Sequence, residues 1–326
     1  MATAAKLPGR RRIRDAGDRT NPATRRWSWR KRFDHRVLPW LMLTPAFVLI
    51  FALIGYPIVR TLWLSFRDAG LEAVGGGESA FVGIGNYTLL VTDPLYRRVF
   101  VTTAVFGLLC VAATMVLGVS AAFLLNQRLP GRRLLMLLYL LPWAMPHVAG
   151  ATVWQWLFHD QYGVVNWLLA GVGFASFDGY AWFVSRVPAF IAIGTVVVWT
   201  SFPFVAVSML AGLQSVPADV LEAARIDGAS SWQRVRHVTL PLLKPLLLVL
   251  TAISTIWDFK VFDQVYVMTE GGPARSTEVL AITTWREAFT RFNFGLAAAL
   301  AIALFVILTA ITVVYIRLVR EEEGLV

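Results

Sequence analysis

The chain has 326 residues, 57% of them hydrophobic and 15% charged, with a mean hydropathy of +0.62. Soluble domains carry roughly 25% charged residues, so the composition excludes water as the chain's main solvent and makes bilayer thickness the ruler for its segments. The formal net charge of +10 does not point to nucleic acid, because much of it sits in one basic tail with no folded reader beside it.

That tail is residues 1–36. Its basic residues, among them Arg10, Arg11, Arg12, Arg30, Lys31 and Arg32, are opposed only by Asp15, Asp18 and Asp34, and an apolar run follows at once. Such a segment abutting a span marks the cytoplasmic side. The apolar run 37–59 is longer than the core of a signal peptide, and no A-x-A-like cleavage site follows it. It is read as a retained first transmembrane helix, 37–66.

An extracytoplasmic loop is predicted at 67–98. Its glycine run, Gly75 to Gly77, has no phosphate-cradling context, and Asn86-Tyr87-Thr88 matches a short glycosylation acceptor pattern. Further spans are predicted at 99–125, 134–158, 188–213, 242–257 with an extension toward 266, and 294–316. The expected fold is an all-α integral membrane protein of six transmembrane helices, with a five-helix domain at 99–316 and a cytoplasmic tail at 317–326.

Orientation follows from the Lys and Arg content of short loops. Arg128, Arg132 and Arg133 mark one connection as cytoplasmic, and Arg225, Arg234, Arg236 and Lys244 mark another, whereas 159–187 offers only Arg186. The tryptophans near span ends, such as Trp40, Trp63, Trp156 and Trp285, are read as interfacial anchors. The only cysteine, Cys110, lies in an apolar run and is expected to be a buried, inert thiol.

The most informative segment is the cytoplasmic connection at 219–241. Pro217 followed by Asp219 makes a helix start, Gly228 makes a stop, and Leu240-Pro241 opens the next span. Glu222-Ala223-Ala224 is followed after three residues by Gly228, then after nine by Val238-x-Leu240-Pro241. This spacing resembles the EAA motif of type I importer permeases of the ATP-binding-cassette superfamily, with Val238 in place of the usual Ile. In that family the short helix docks into a cleft on the nucleotide-binding subunit. The resemblance therefore implies coupling to an ATPase through Glu222, Ala223, Ala224, Asp227 and Gly228.

A second likeness narrows the family. The stretch from Phe262 to Pro273, then Ser276 to Leu280, Phe289, Phe292, Gly295 and Ala297 to Ala299, is similar to the carbohydrate permeases of the maltose, glycerol-phosphate and trehalose types. The short form with a basic tail is most similar to the first of two paired permeases, the trehalose importers of actinobacteria above all. The resemblance implies three kinds of partner, a second permease subunit, two ATP-binding-cassette subunits and an extracytoplasmic substrate-binding protein, beside the membrane lipid that the apolar composition requires. It also implies that ATP and Mg2+ belong to the ATPase subunits and that no cofactor binds here. The residues agree: no Gly-Lys dipeptide is present for a Walker A loop, and His35, His147, His159 and His237 lack metal-site spacing. The expectation is a non-catalytic permease subunit.

A sugar path needs hydrogen-bonding groups and aromatic faces at membrane depth. The second half of the fifth span supplies Trp257, Asp258, Lys260, Asp263, Gln264 and Tyr266, unless the span ends at Trp257 and these residues are solvated or paired at the outer surface. Trp199 and Ser201 in the fourth span are secondary candidates, beside a Pro203 that should disturb the helix. Pro142, Trp143, Pro146 and His147 form a kinked polar insertion in the third, with His147 read as a packing residue. An ion-coupled secondary transporter or channel would instead require buried acids or histidines in several spans and inverted repeats. A membrane-embedded transferase would require such groups clustered at one face. Little of the first pattern is visible outside the fifth span, and the sequence does not show the second.

Overall fold

The computed structural model describes residues 38–77, 79–127 and 130–322, so the basic tail, Glu78, Arg128 and the last four residues lie outside the described residues. The chain divides into two compact units, Met1–Val59 and Arg60–Val326. Helix α1, Leu38–Ser65, is long and apolar enough to cross a membrane. Its backbone widens to a π-helical stretch at Phe51–Gly55. Within the first unit the Thr44 hydroxyl donates to the Trp40 carbonyl at 2.7 Å, returning a polar group to its own helix as an apolar solvent demands.

The second unit opens with a departure from the all-α expectation. Strands β1, Arg67–Asp68, and β2, Ala80–Phe81, pair antiparallel with Arg67 opposite Phe81, around the short helix α2, Leu71–Val74. The next helix, α3, is Gly85–Thr92. Asn86 at its start donates its side-chain amide to the carbonyls of Ser65 and Arg67, both at 2.9 Å. The glycosylation-like triplet is therefore a loop tie, with its amide hydrogens already used.

Helix α4, Pro94–Leu125, begins inside the predicted loop. The reason is local: Asp93 accepts the Leu95 amide at 2.7 Å as N-cap, and Pro94 at the first helical position sacrifices no bonded N–H. The predicted third span is two helices, α5, Arg132–Ala144, and α6, His147–Leu157, bent by 99°. Pro146 at the break has no N–H for the ladder. After α7, Val164–Gly171, comes α8, Arg186–Ser215, which runs through Pro203 as one helix, although Pro203 offers no N–H to the carbonyl of Trp199.

The following connection holds α9, Ala218–Ile226, α10, Ser231–Arg234, a π-helical stretch at Val235–Thr239 and α11, Leu240–Leu242. Then come α12, Lys244–Phe259, α13, Asp263–Thr269, α14, Leu280–Phe289, and α15, Phe294–Glu322. Among the described residues five helices are long and apolar enough to cross a membrane, or six if the bent α5–α6 pair is one span.

Packing centres on α4 against α8 and α12. A Cβ on Gly118 would lie 2.6 Å from the Val205 side chain, and one on Gly107 would lie 2.6 Å from the Phe259 ring. Where lipid removes the hydrophobic drive between helices, such close approach through small residues is what holds them together. Cys110 is buried on α4, as expected, beside Phe106, Ile193 and Val196.

Candidate functional site

The polar site forms where the fifth span breaks. Helix α12 stops at Phe259 and α13 restarts at Asp263, so the intervening backbone leaves the helical ladder within the bundle, an arrangement tolerated at membrane depth only against protein or a cavity. A cavity of about 390 Å³ lies there, bounded by Trp143 and His147 of the bent pair, Thr200 and Ser201 of α8, and Trp257, Asp258, Lys260, Asp263 and Gln264.

The depth of these side chains differs. Asp258 and Gln264 are 2% and 5% exposed, so neither side chain is solvated. The Ser201 hydroxyl donates to Asp258 Oδ1 at 3.2 Å, joining α8 to α12. His147 Nδ1 lies 3.6 Å from Asp263 Oδ2, with about half of each side chain exposed; a pair of that kind contributes roughly 0–1 kcal/mol. One wall is aromatic: Trp143 stacks on Phe204 with centroids 6.0 Å apart, and Phe204 meets Trp257 at 5.0 Å.

Of the residues expected on the path, the fold gathers Ser201, Trp257, Asp258, Lys260, Asp263 and Gln264 around one cavity. It does not gather the other two. Trp199 meets Trp154 edge-on at 5.5 Å and faces an apolar groove between α4 and α8. Tyr266 stacks on Phe262 at 5.2 Å and meets Trp285 edge-on at 4.9 Å. Sequence reasoning noticed Trp143 and His147 but did not place them on the path. The prolines flanking them signalled the bend; only the tertiary fold shows that the bend turns them toward Asp263.

The second site is α9. Pro217 precedes it, Asp219 occupies its first turn and Arg225 its last, each charge favourable to the helix dipole. Gly228 closes it with φ +83°, a conformation a Cβ disfavours. The Ala229 amide then bonds the Ala224 carbonyl at 3.0 Å. No residue of α9 is buried, and Ile226 is 86% exposed. Glu222, Ala223, Asp227 and Gly228 stand on the surface, with Ala224 partly covered. A capping box between Ser230 and Gln233 restarts the chain as α10.

Sequence reasoning missed a third polar cluster, after α13. Glu278 and Glu287 are each 1% exposed. Glu278 takes a two-pronged ion pair from Arg275, with Arg286 Nε 3.5 Å away. The hydrogen bonds to Glu278 push the Arg275 guanidinium upward, so it stays charged. Glu287 accepts from Tyr96 at 3.1 Å and from Arg291 at 2.8 Å.

Apolar spans, an interrupted helix at a polar cavity and an exposed short helix in a connection together define a membrane transport subunit. Among the described residues no group of three or more His, Cys, Asp or Glu is placed to hold a metal ion. Residues 114–321 match the profile described as "Binding-protein-dependent transport system inner membrane component", and the chain belongs to that family of ATP-binding-cassette transporter permeases.

Relatives include the diacetylchitobiose uptake system permease protein DasB of Streptomyces coelicolor, 37% identical over 87% of this chain and 87% of its own. The trehalose/maltose transport system permease protein MalF of Thermococcus litoralis is 36% identical over 89% of this chain and 96% of its own. The fold matches a crystal structure of a bacterial ABC transporter involved in the import of the acidic polysaccharide alginate, with a TM-score of 0.76 at 19% identity. That match covers 91% of this chain and 99% of the other.

Proposed function

We propose that this chain is one of two membrane permeases of an ATP-driven sugar importer, that it forms half of the translocation pathway, and that its substrate is a disaccharide of the trehalose class. The observation that carries this reading is the cavity at the α12–α13 break. Its aromatic wall of Trp143 and Trp257 suits the apolar face of a sugar ring, and Ser201, Lys260, Asp263 and Gln264 supply donors and acceptors for hydroxyls. The names of the relatives, which take diacetylchitobiose and trehalose or maltose, support the same class.

In this reading α9 is the coupling helix. Glu222, Ala223, Ala224, Asp227 and Gly228 meet a separate ATPase subunit that binds ATP and Mg2+, and the surface position of the helix suits that contact. The bent α5–α6 pair counts as one of six spans. Both termini and α9 face the cytoplasm, following the Lys and Arg bias of the connections. A second permease completes the pathway, and an extracytoplasmic binding protein delivers the sugar.

The test is reconstitution of this chain in proteoliposomes with its paired permease, ATPase and binding protein, challenged with a disaccharide panel. ATP-dependent uptake of trehalose or a related disaccharide, lost when the ATPase is omitted, is the expected result. Uptake by this chain alone, driven by an ion gradient, would overturn it.

A further inference from the structure

Among the described residues, three buried oxygen atoms inside the spans have no hydrogen-bond partner, and one of them belongs to Asp258 at the cavity wall. Asp258 is 2% exposed; its Oδ1 accepts from Ser201 at 3.2 Å, whereas its Oδ2 has no hydrogen-bond partner among the described residues. Ser254 on the same helix and Thr114 on α4 are 1% and 0% exposed, and their hydroxyl oxygens are likewise unpartnered. A separation of four residues places Ser254 and Asp258 on one face of α12. Thr114 on α4 comes close enough to the Asp258 carboxylate to act on it, without the geometry of a hydrogen bond. Helices α4, α8 and α12 thus bring oxygen to one carboxylate.

An ionised carboxylate at that depth is costly unless a positive charge offsets it. The neighbours of Asp258 that act on it are the Ser201 and Thr114 hydroxyls, not a cation. Of the charged groups around the same cavity, His147 is turned to Asp263 and Lys260 is exposed. Asp258 also occupies the last turn of α12, the negative end of the helix dipole, where an anion is disfavoured and a cation favoured. C-terminal ends of interrupted membrane helices, with carbonyls released from the ladder, are suited to alkali ions.

We propose that Asp258, Ser254 and Thr114, joined by Ser201 and the terminal carbonyls of α12, bind one monovalent alkali cation. The ligands are hard oxygens, which suits such an ion. The single carboxylate balances one positive charge, whereas a divalent ion would leave a net charge buried. A proton on Oδ2 leaves the Ser254 hydroxyl still unpaired, whereas a coordinated cation draws on all three oxygens. The bound ion ties α4, α8 and α12 together beside the cavity. The site stands on these residues alone and is independent of the identity of the transported sugar.

The experiment measures the Tm of the purified, assembled transporter without sugar, in NaCl, KCl and choline chloride at matched ionic strength, with radiosodium binding in parallel. Sodium is the probe. A saturable upward shift of a few degrees in NaCl over choline is expected for the native chain, absent in Asp258→Asn. Ser254→Ala and Thr114→Val should each weaken sodium affinity by about tenfold. Equal melting in sodium and choline would overturn the site, as would a sodium shift that survives Asp258→Asn, or stabilisation by acid alone with no sodium binding. Should Asp258→Asn fail to assemble, the two hydroxyl variants decide, and an unchanged sodium midpoint in both refutes the proposal. Failure of sugar uptake with sodium binding intact would count against the transport reading only.

Discussion

Helix α9 has no buried residue, and its first-turn Asp219 and last-turn Arg225 sit where the helix dipole favours them. The break between α12 and α13 does the opposite: it holds Asp258 and Gln264 buried, with an acid at the wrong end of a helix. The exposed helix is stabilised by its own sequence, through Pro217, Asp219 and Gly228, and owes almost nothing to its neighbours. The break persists only because α4, α8 and the bent pair surround it. A surface element can be rebuilt for a partner at little cost in stability, whereas a buried polar element is bound to the packing of the whole bundle.

The contrast can be tested by substitution. The largest stability loss is expected from Glu278→Ala, which strips the acid from Arg275 and Arg286 in a covered site; breaking such a pair costs about 3–5 kcal/mol. A detergent melt would show it, and a Tm equal to the native value would mean that the cluster is solvated in practice. Gly118→Leu comes next, because its side chain meets Val205 directly; overpacking of this kind costs about 1–3 kcal/mol and should lower the yield of folded protein. If it does not, α4 and α8 are not locked at that crossing.

Asp263→Asn should change stability by roughly 0–1 kcal/mol, since its pairing with His147 is half exposed. Its effect belongs in the half-saturation constant for uptake, which should rise while the assembled complex and its basal ATPase rate persist. An unchanged constant would take Asp263 off the pathway. The smallest stability change, about 0.5 kcal/mol or less, is expected for Glu222→Ala on the exposed face of α9. Its consequence for function should be the greatest: ATP hydrolysis continues or falls without driving uptake. Normal uptake by that variant would remove the coupling role from Glu222 and sharpen the search toward Ala223 and Gly228.

Much of this was legible in the residues. Capping signals placed α9 almost to the residue, because a short exposed helix depends on local chemistry alone. The apolar lengths located the long spans for the same reason, and the errors fell where a local signal was overlooked or overridden. Asp93 and Pro94 start α4 five residues before the predicted span, because an apolar count does not register a cap. Pro203 disturbs α8 so little that it stays one helix, and Pro146 stands at a 99° bend where a kink was expected. A proline removes one donor in either case, and the packing around it decides whether the helix continues.

By itself, then, the sequence determined that this chain lives in a bilayer, how long its helices are and which connection carries an exposed, self-capped helix, since each of these depends on composition or on neighbours a few residues away. The tertiary structure alone decided which polar groups meet. Trp143 and His147 join Asp263 across a bend, Ser201 reaches Asp258 from another helix, and Trp199 and Tyr266 turn away to other rings. Those pairings bridge dozens of residues, and in lipid they are set by close contact between helices and by the need to satisfy buried polar groups.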